Sequence, residues 1–184
     1  MRSLLSVLLG GMVLAGGGFA AWGDTLPGPE QAGAKRLEAS ETLPLADRIV
    51  VRKSERRLYL MKGDSVLRSY RIALGLNPVG HKEREGDFRT PEGRYRLTRR
   101  NPRSDYFLSI QVSYPNEEDL ARARRNGWKA GGAIMIHGLP NRMRHPPEYY
   151  ETRDWTDGCI AVSNADMVEI WLLTPDNAPI EILP

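Results

Sequence analysis

From Ile49 to the C-terminus, apolar and polar residues alternate in short runs separated by turn residues. Leu58 and Leu60 share one face of the run 57–61, and Gly63-Asp64 separates that run from a second one at 66–74. A period of two broken by glycine and aspartate is the signature of half-buried strands. The same reading predicts strands at 49–51, 94–98, 108–112, 133–137 and 180–183. Two helical segments interrupt them. Asn116 precedes 117–126 with Asp119 at the third position and Gly127 beyond the end, and Ser163 precedes 164–173 with Asp166 at the third position. A short polar side chain before a helix and an acid three residues later satisfy free N–H groups at its start. Seven short strands with two short helices predict a mainly β domain, a sandwich or barrel decorated by helices.

The pattern fails upstream. Residues 24–46 carry Pro27, Pro29 and Pro44 among mixed charges with no lasting apolar period, and read as a linker. Residues 1–23 hold one charged residue, Arg2, ahead of an apolar run that ends in small residues. That is the layout of a secretory signal peptide. An uncleaved anchor is the alternative, because a span of about 20 apolar residues crosses a bilayer. Either way residues 47–184 form one domain outside the cytoplasm, attached to a membrane only through the N-terminal segment. The 184 residues are 41% hydrophobic and 27% charged, which suits one packed domain and excludes a polytopic membrane protein. A net charge of +3 is too small to point to nucleic acid. The single cysteine and three histidines leave no zinc-finger pattern, and no cofactor is implied.

That cysteine, Cys159, follows the polar turn Trp155-Thr156-Asp157-Gly158 and begins an apolar run. A free cysteine there is either a small buried hydrophobe or a nucleophile. The preceding glycine lets a substrate carbonyl approach the main chain, so N–H groups of Gly158 and Cys159 are candidates for stabilising an oxyanion. His137 closes the predicted strand 133–137, and Gly138 follows it. It is the candidate base: a thiolate–imidazolium pair would lower the thiol pKa toward neutrality. No acid or hydroxyl adjoins His137 as a third member, so a main-chain carbonyl, that of Gly138, is expected to fix its tautomer. The 21 residues 138–158 contain three prolines, Tyr149, Tyr150 and Trp155, with Arg142, Arg144 and Arg153. A segment that long without a period is expected to act as a lid whose arginines meet substrate carboxylates. In 81–105, eight bases outnumber five acids, and Gly86-Asp87-Phe88-Arg89-Thr90-Pro91-Glu92-Gly93 ends in a turn that leads into a strand.

Taken in order, Gly86 to Gly93, His137-Gly138 and Thr156-Asp157-Gly158-Cys159-Ile160 resemble the three motifs of the L,D-transpeptidase catalytic domain of the YkuD type. The resemblance implies a YkuD-type β-rich fold and a cysteine acyltransferase acting on peptidoglycan stem peptides. In that family the thiol attacks the carbonyl on the L-centre of diaminopimelate, D-alanine leaves, and an amine resolves the acyl-enzyme. Carried over, Cys159 is the nucleophile, His137 the base, Gly138 its orienting carbonyl, and the main chain at Asp157, Gly158 and Cys159 the oxyanion hole. Thr156, Trp155, Arg142, Arg144 and Arg89 are expected to contact substrate. Two positions depart from the common pattern: Asp157, where many members have His, and Ala161, where many have Arg or Asn. Relatives with this fold also hydrolyse stem-peptide links or release an envelope protein from peptidoglycan, so a hydrolase is the alternative, and a non-catalytic wall-binding domain a second. A sortase would need an arginine after the cysteine, and no Lys or Arg follows Cys159. Papain-like hydrolases place Cys before His, the reverse of the order here.

Overall fold

The computed structural model describes residues 43–184, and the expected signal or anchor segment 1–23 with the linker up to residue 42 lies outside the described residues. Ala46, the last residue assigned to the linker, is already in the core, and its N–H donates to Leu173 O at 2.8 Å. The strands are β1 (Arg48–Arg52), β2 (Arg57–Lys62), β3 (Ser65–Arg71), β4 (Gly93–Ser104), β5 (Phe107–Val112), β6 (Met135–His137), β7 (Ile160–Ala161) and β8 (Pro179–Leu183). They form one mixed sheet in the order β3-β2-β1-β8-β4-β5-β6-β7. The pairs β1–β8 and β6–β7 are parallel and the others antiparallel.

Alternation decides which face is buried. Ile49, Val51, Leu58, Leu60, Tyr95, Leu97, Ile110, Val112, Ile180 and Ile182 all turn into one core, and their neighbours along each strand face outward. The hairpin from β2 to β3 turns at Gly63, whose φ of 53° suits a two-residue connection. Beyond β3 the chain continues to Ala73, which exchanges two hydrogen bonds of 2.9 Å with Ala161 of β7. This bridge joins the two ends of the sheet, so its edges are tied together in the manner of a barrel.

Both capped helices form. In α1 (Glu117–Arg125) Asn116 and Asp119 make a reciprocal capping box, and in α3 (Asn164–Leu173) Ser163 Oγ accepts from Asp166 N at 3.1 Å. Met167, Ile170 and Leu173 of α3 pack into the core. Five features depart from the sequence pattern, one being that the strand expected over 133–137 forms only over Met135–His137. The run expected to reach 74 leaves the ladder after Arg71, β4 continues well past 98, and β7 is a strand of two residues. A third helix, α2 (Pro147–Thr152), lies inside the segment expected to lack structure. Six residues are too few to register a period, and α2 has no side-chain cap. It is fixed instead by the burial of Tyr150, whose hydroxyl accepts from Arg144 N at 3.0 Å.

The turn 86–93 is held from within. Asp87 accepts from Lys82 Nζ at 2.7 Å and from the N–H groups of Glu83, Arg84 and Arg89 at 2.7, 3.1 and 3.1 Å. Lys53, buried beneath it, donates to Gly80 O, Thr90 O and Glu92 Oε1. In the basic run Lys82 is thus committed to Asp87, and Arg89, Arg94 and Arg100 pair with Glu83, Glu181 and Asp176. Burial alone would raise the Asp87 pKa, but Lys82 and the three N–H groups outweigh it and hold the carboxyl below its usual range. A depressed carboxylate contributes stability above its unfolded pKa and loses it as pH falls through the folded value. Asp87→Asn should therefore cost about 3 kcal/mol at pH 7, because it leaves Lys82 buried without its counter-charge. The gap from wild type should close progressively below about pH 4, which urea denaturation across pH 2–7 measures.

Candidate active site

The parallel register of β6 and β7 sets the chemistry. Ile136 pairs with Ile160 and His137 with Ala161. Ile134, Ile136, Ile160 and Val162 point into the core, so Met135, His137 and Cys159 point the other way. His137 and Cys159 line one cleft of about 340 Å³ together with Ser109, Tyr106, Trp155 and Asp157. The base and the nucleophile of the sequence reading are brought together.

His137 is almost wholly buried, and its Nδ1 lies 2.7 Å from Gly138 O. A carbonyl only accepts, so Nδ1 carries the proton and Nε2 keeps its lone pair. Tyr106 lies against the ring at 4.6 Å between centroids and Trp155 meets it edge-on at 5.6 Å. Burial pushes the imidazole pKa down to about 4, and the Gly138 hydrogen bond opposes this only in part. The half-buried Cys159 donates its S–H to Ala133 O at 3.6 Å. Burial pushes the thiol pKa up, the Met135 main chain opposes the shift, and the Asp157 charge adds to it. Burial therefore favours the neutral thiol and the neutral imidazole in the free cleft. The thiolate–imidazolium pair expected from sequence is disfavoured because both charged forms would be stripped of water.

Two glycines allow this geometry. At Gly158, φ is 127° and a Cβ would lie 2.6 Å from Arg89 O. At Gly138, a Cβ would lie 2.5 Å from Asn164 Oδ1, which accepts from Leu139 N at 2.8 Å. Thr156 is buried, and its hydroxyl accepts from Gly158 N at 3.1 Å and donates to Cys159 O at 2.8 Å. It staples the turn that leads into Cys159. The Gly158 N–H is consequently occupied, which narrows the expected oxyanion donors to Asp157 and Cys159.

The remaining expected contacts divide. Trp155 lines the cleft and, with Tyr106 and Asp105, forms the wall shared with a neighbouring groove of about 910 Å³. Arg142 and Arg144 line that groove, outside the cleft that holds the thiol. Arg89 is not brought in: its main chain backs Gly158, while its guanidinium reaches Glu83 at 3.5 Å and His81 O at 3.4 Å. Sequence reasoning missed Asp105, Tyr106 and Ser109. The first two lie in the turn after β4, whose length was underestimated, and Ser109 is the partner of His137 across β5 and β6. The alternation at 108–112 could have flagged Ser109 as a polar residue on a strand, but not its neighbour.

A family model for the L,D-transpeptidase catalytic domain, YkuD, matches residues 46–182. The chain belongs to this family. Within it, the chain is 38% identical over 96 residues to the Escherichia coli K12 protein named "Putative L,D-transpeptidase YafK", a match covering 49% of this chain and 37% of that protein. Among solved structures it resembles the helical cell shape determining protein Pgp2 of Campylobacter jejuni, with a TM-score of 0.54 and 25% identity over 78% of this chain and 51% of that one. Bd1075 of Bdellovibrio bacteriovorus gives a TM-score of 0.51 and 25% identity over 78% of this chain and 50% of that one. The chain thus spans about half or less of the length of each relative.

In this L,D-transpeptidase domain the turn 86–93 has a visible structural task. Phe88 O accepts from Asn77 N at 3.1 Å, Thr90 Oγ1 accepts from Gly75 N at 3.3 Å, and Arg89 O bears on Gly158. The motif is a buttress behind the turn that carries Cys159. Because thiolate is the reactive form and its pKa is raised, alkylation of Cys159 by iodoacetamide should be slow at pH 7 and keep climbing above about pH 8.5. A rate already level below pH 7 would reveal a stable ion pair instead.

Proposed function

We propose that this protein is an exported cysteine acyltransferase that acts on peptidoglycan stem peptides. The observation that carries the reading is the shared face of His137 and Cys159, with Nε2 left unprotonated because Gly138 O holds Nδ1–H. Nε2 takes the thiol proton as Sγ attacks the peptide carbonyl, and the developing oxyanion is met by the N–H groups of Asp157 and Cys159. The C–N bond breaks, the imidazolium returns the proton to the departing amine, and a thioester remains on Cys159. An amine or water then attacks the thioester, and the proton it sheds restores the thiol. Because both partners start neutral, proton transfer accompanies attack and does not precede it. The N-terminal segment delivers the domain to the periplasm or cell envelope; among the described residues no helix is long and apolar enough to cross a membrane.

Incubated with a stem tetrapeptide, the wild-type protein should gain the mass of the acyl group, and Cys159→Ala should gain none. An unchanged adduct in that variant, read by intact mass, would overturn the mechanism. His137→Ala should slow acylation by about 10²–10⁴-fold.

The groove beside the cleft supports a role for Arg142 and Arg144 in holding stem carboxylates. Both are exposed, so replacing the pair should raise KM while shifting stability by no more than about 0.5 kcal/mol. Steady-state kinetics and a thermal melt on the double variant separate the two effects.

A further inference from the structure

The β1–β2 turn contributes no residue to the cleft, yet its two basic side chains, Lys53 and Arg56, reach both supports of the turn that carries Cys159. Lys53 holds the segment 80–92, whose Arg89 O backs Gly158. Arg56 reaches the other end. Its Nε lies 3.1 and 3.0 Å from the two carboxylate oxygens of Asp154, its Nη2 donates to Asp154 Oδ2 at 2.7 Å, and its Nη1 donates to Lys53 O. Both side chains are partly buried, and such a fork holds a carboxylate in one orientation.

Asp154 lies between the C-cap of α2 and the turn 155–159. Its Oδ1 accepts from Leu74 N at 2.9 Å, so a side chain supplies the partner that this main-chain group needs. Leu74 O in turn accepts from Trp155 N and Thr156 N, both at 3.1 Å, and Leu76 N donates to Thr156 O at 3.0 Å. Arg56 O accepts from Ile72 N at 3.0 Å, which ties the same stretch to the β1–β2 turn. Trp155 is the ring set edge-on to His137, and Thr156 is the staple between Gly158 N and Cys159 O. Backbone geometry singles out the arginine as well. Arg56 has a φ of 50°, in the left-handed region that favours glycine. Glycine would complete this turn with less strain; the fork on Asp154 is what an arginine adds there.

We propose that Arg56 and Asp154 are positioning residues for the thiol, fixing through the stretch 72–76 the point from which the turn 155–159 departs toward Cys159. This rests on the reading of Cys159 as the nucleophile. The β7 register sets the face on which the thiol lies, and the ion pair anchors the other end of the turn. Loosening that end acts in opposite directions on two reactions of one sulfur. Acylation needs Sγ aligned with the carbonyl, where a displacement of about 1 Å can cost about 100-fold. Alkylation by a small reagent needs only thiolate and access, and both grow as water enters, because burial is what raises the thiol pKa.

The test uses the full-length protein, in which Cys159 is the only thiol. Asp154→Ala, Arg56→Gln and Arg56→Lys are compared with wild type at a temperature where circular dichroism shows each to be folded. With a stem tetrapeptide, Asp154→Ala and Arg56→Gln should lower kcat for acylation by about 10–100-fold and leave KM within about twofold. Arg56→Lys keeps the charge without the fork and should recover part of the loss. The same variants should react with iodoacetamide at pH 7 faster than wild type. Arg94→Gln, which breaks the exposed pair with Glu181, should leave both reactions unchanged. Slower acylation with faster alkylation is the expected signature. Any other pattern in the folded variants, including both reactions unchanged or both slowed, would overturn the proposal. If Asp154→Ala does not fold, Asp154→Asn, which keeps one oxygen for Leu74 N, carries the same expectation. Absence of an acyl adduct in wild type would instead remove the acyltransferase reading, and alkylation alone would then decide whether the pair places the thiol.

Discussion

Two residues of β7, Ile160 and Ala161, bring Cys159 and His137 to one face of the sheet. Their parallel pairing with β6 fixes Cys159 on the same face as His137, and a strand that short cannot hold its register alone. It is fastened from three directions: Val162 N donates to His137 O at 2.9 Å, Ala161 exchanges hydrogen bonds with Ala73, and Thr156 ties the turn before it. A slip of one residue would send the thiol into the core and Ile160 into the cleft. Closure of the sheet is therefore also the positioning of the site.

The buttress explains why glycine and a distant turn belong to the same site. Gly158 must press its Cα side against Arg89 O, and Arg89 is placed there by Asp87 on one side and by Lys53 beneath Thr90 on the other. Buried charges that look wasteful in a domain of this size thus rigidify the surface on which the nucleophile turn rests. Their partners are main-chain groups of the turn as well as side chains, so the ion pairs define a backbone shape.

Enclosure has a second consequence. Burial that positions the two side chains also opposes their charged forms, holding the His137 pKa down and the Cys159 pKa up. Asp105, Tyr106 and Trp155 form the wall between the cleft that holds Cys159 and the adjoining groove that holds Arg142 and Arg144.

The sequence by itself determined most strands from Ile49 to β8 and the two capped helices, and it singled out Cys159, His137 and Gly138 as candidates, because alternation, caps and glycine-flanked reactive residues are local. Tertiary structure alone decided the rest. The two residues of β7 have no periodicity to detect, α2 exists because Tyr150 finds a buried position, and β4 runs on to place Asp105 and Tyr106 over the cleft. Arg89 looked like a substrate contact by its motif, yet the structure uses its carbonyl as a support and sends its guanidinium to Glu83. The sign of the thiol's pKa shift was also hidden, since desolvation depends on which residues enclose a group, and that enclosure comes from chain segments far apart in sequence.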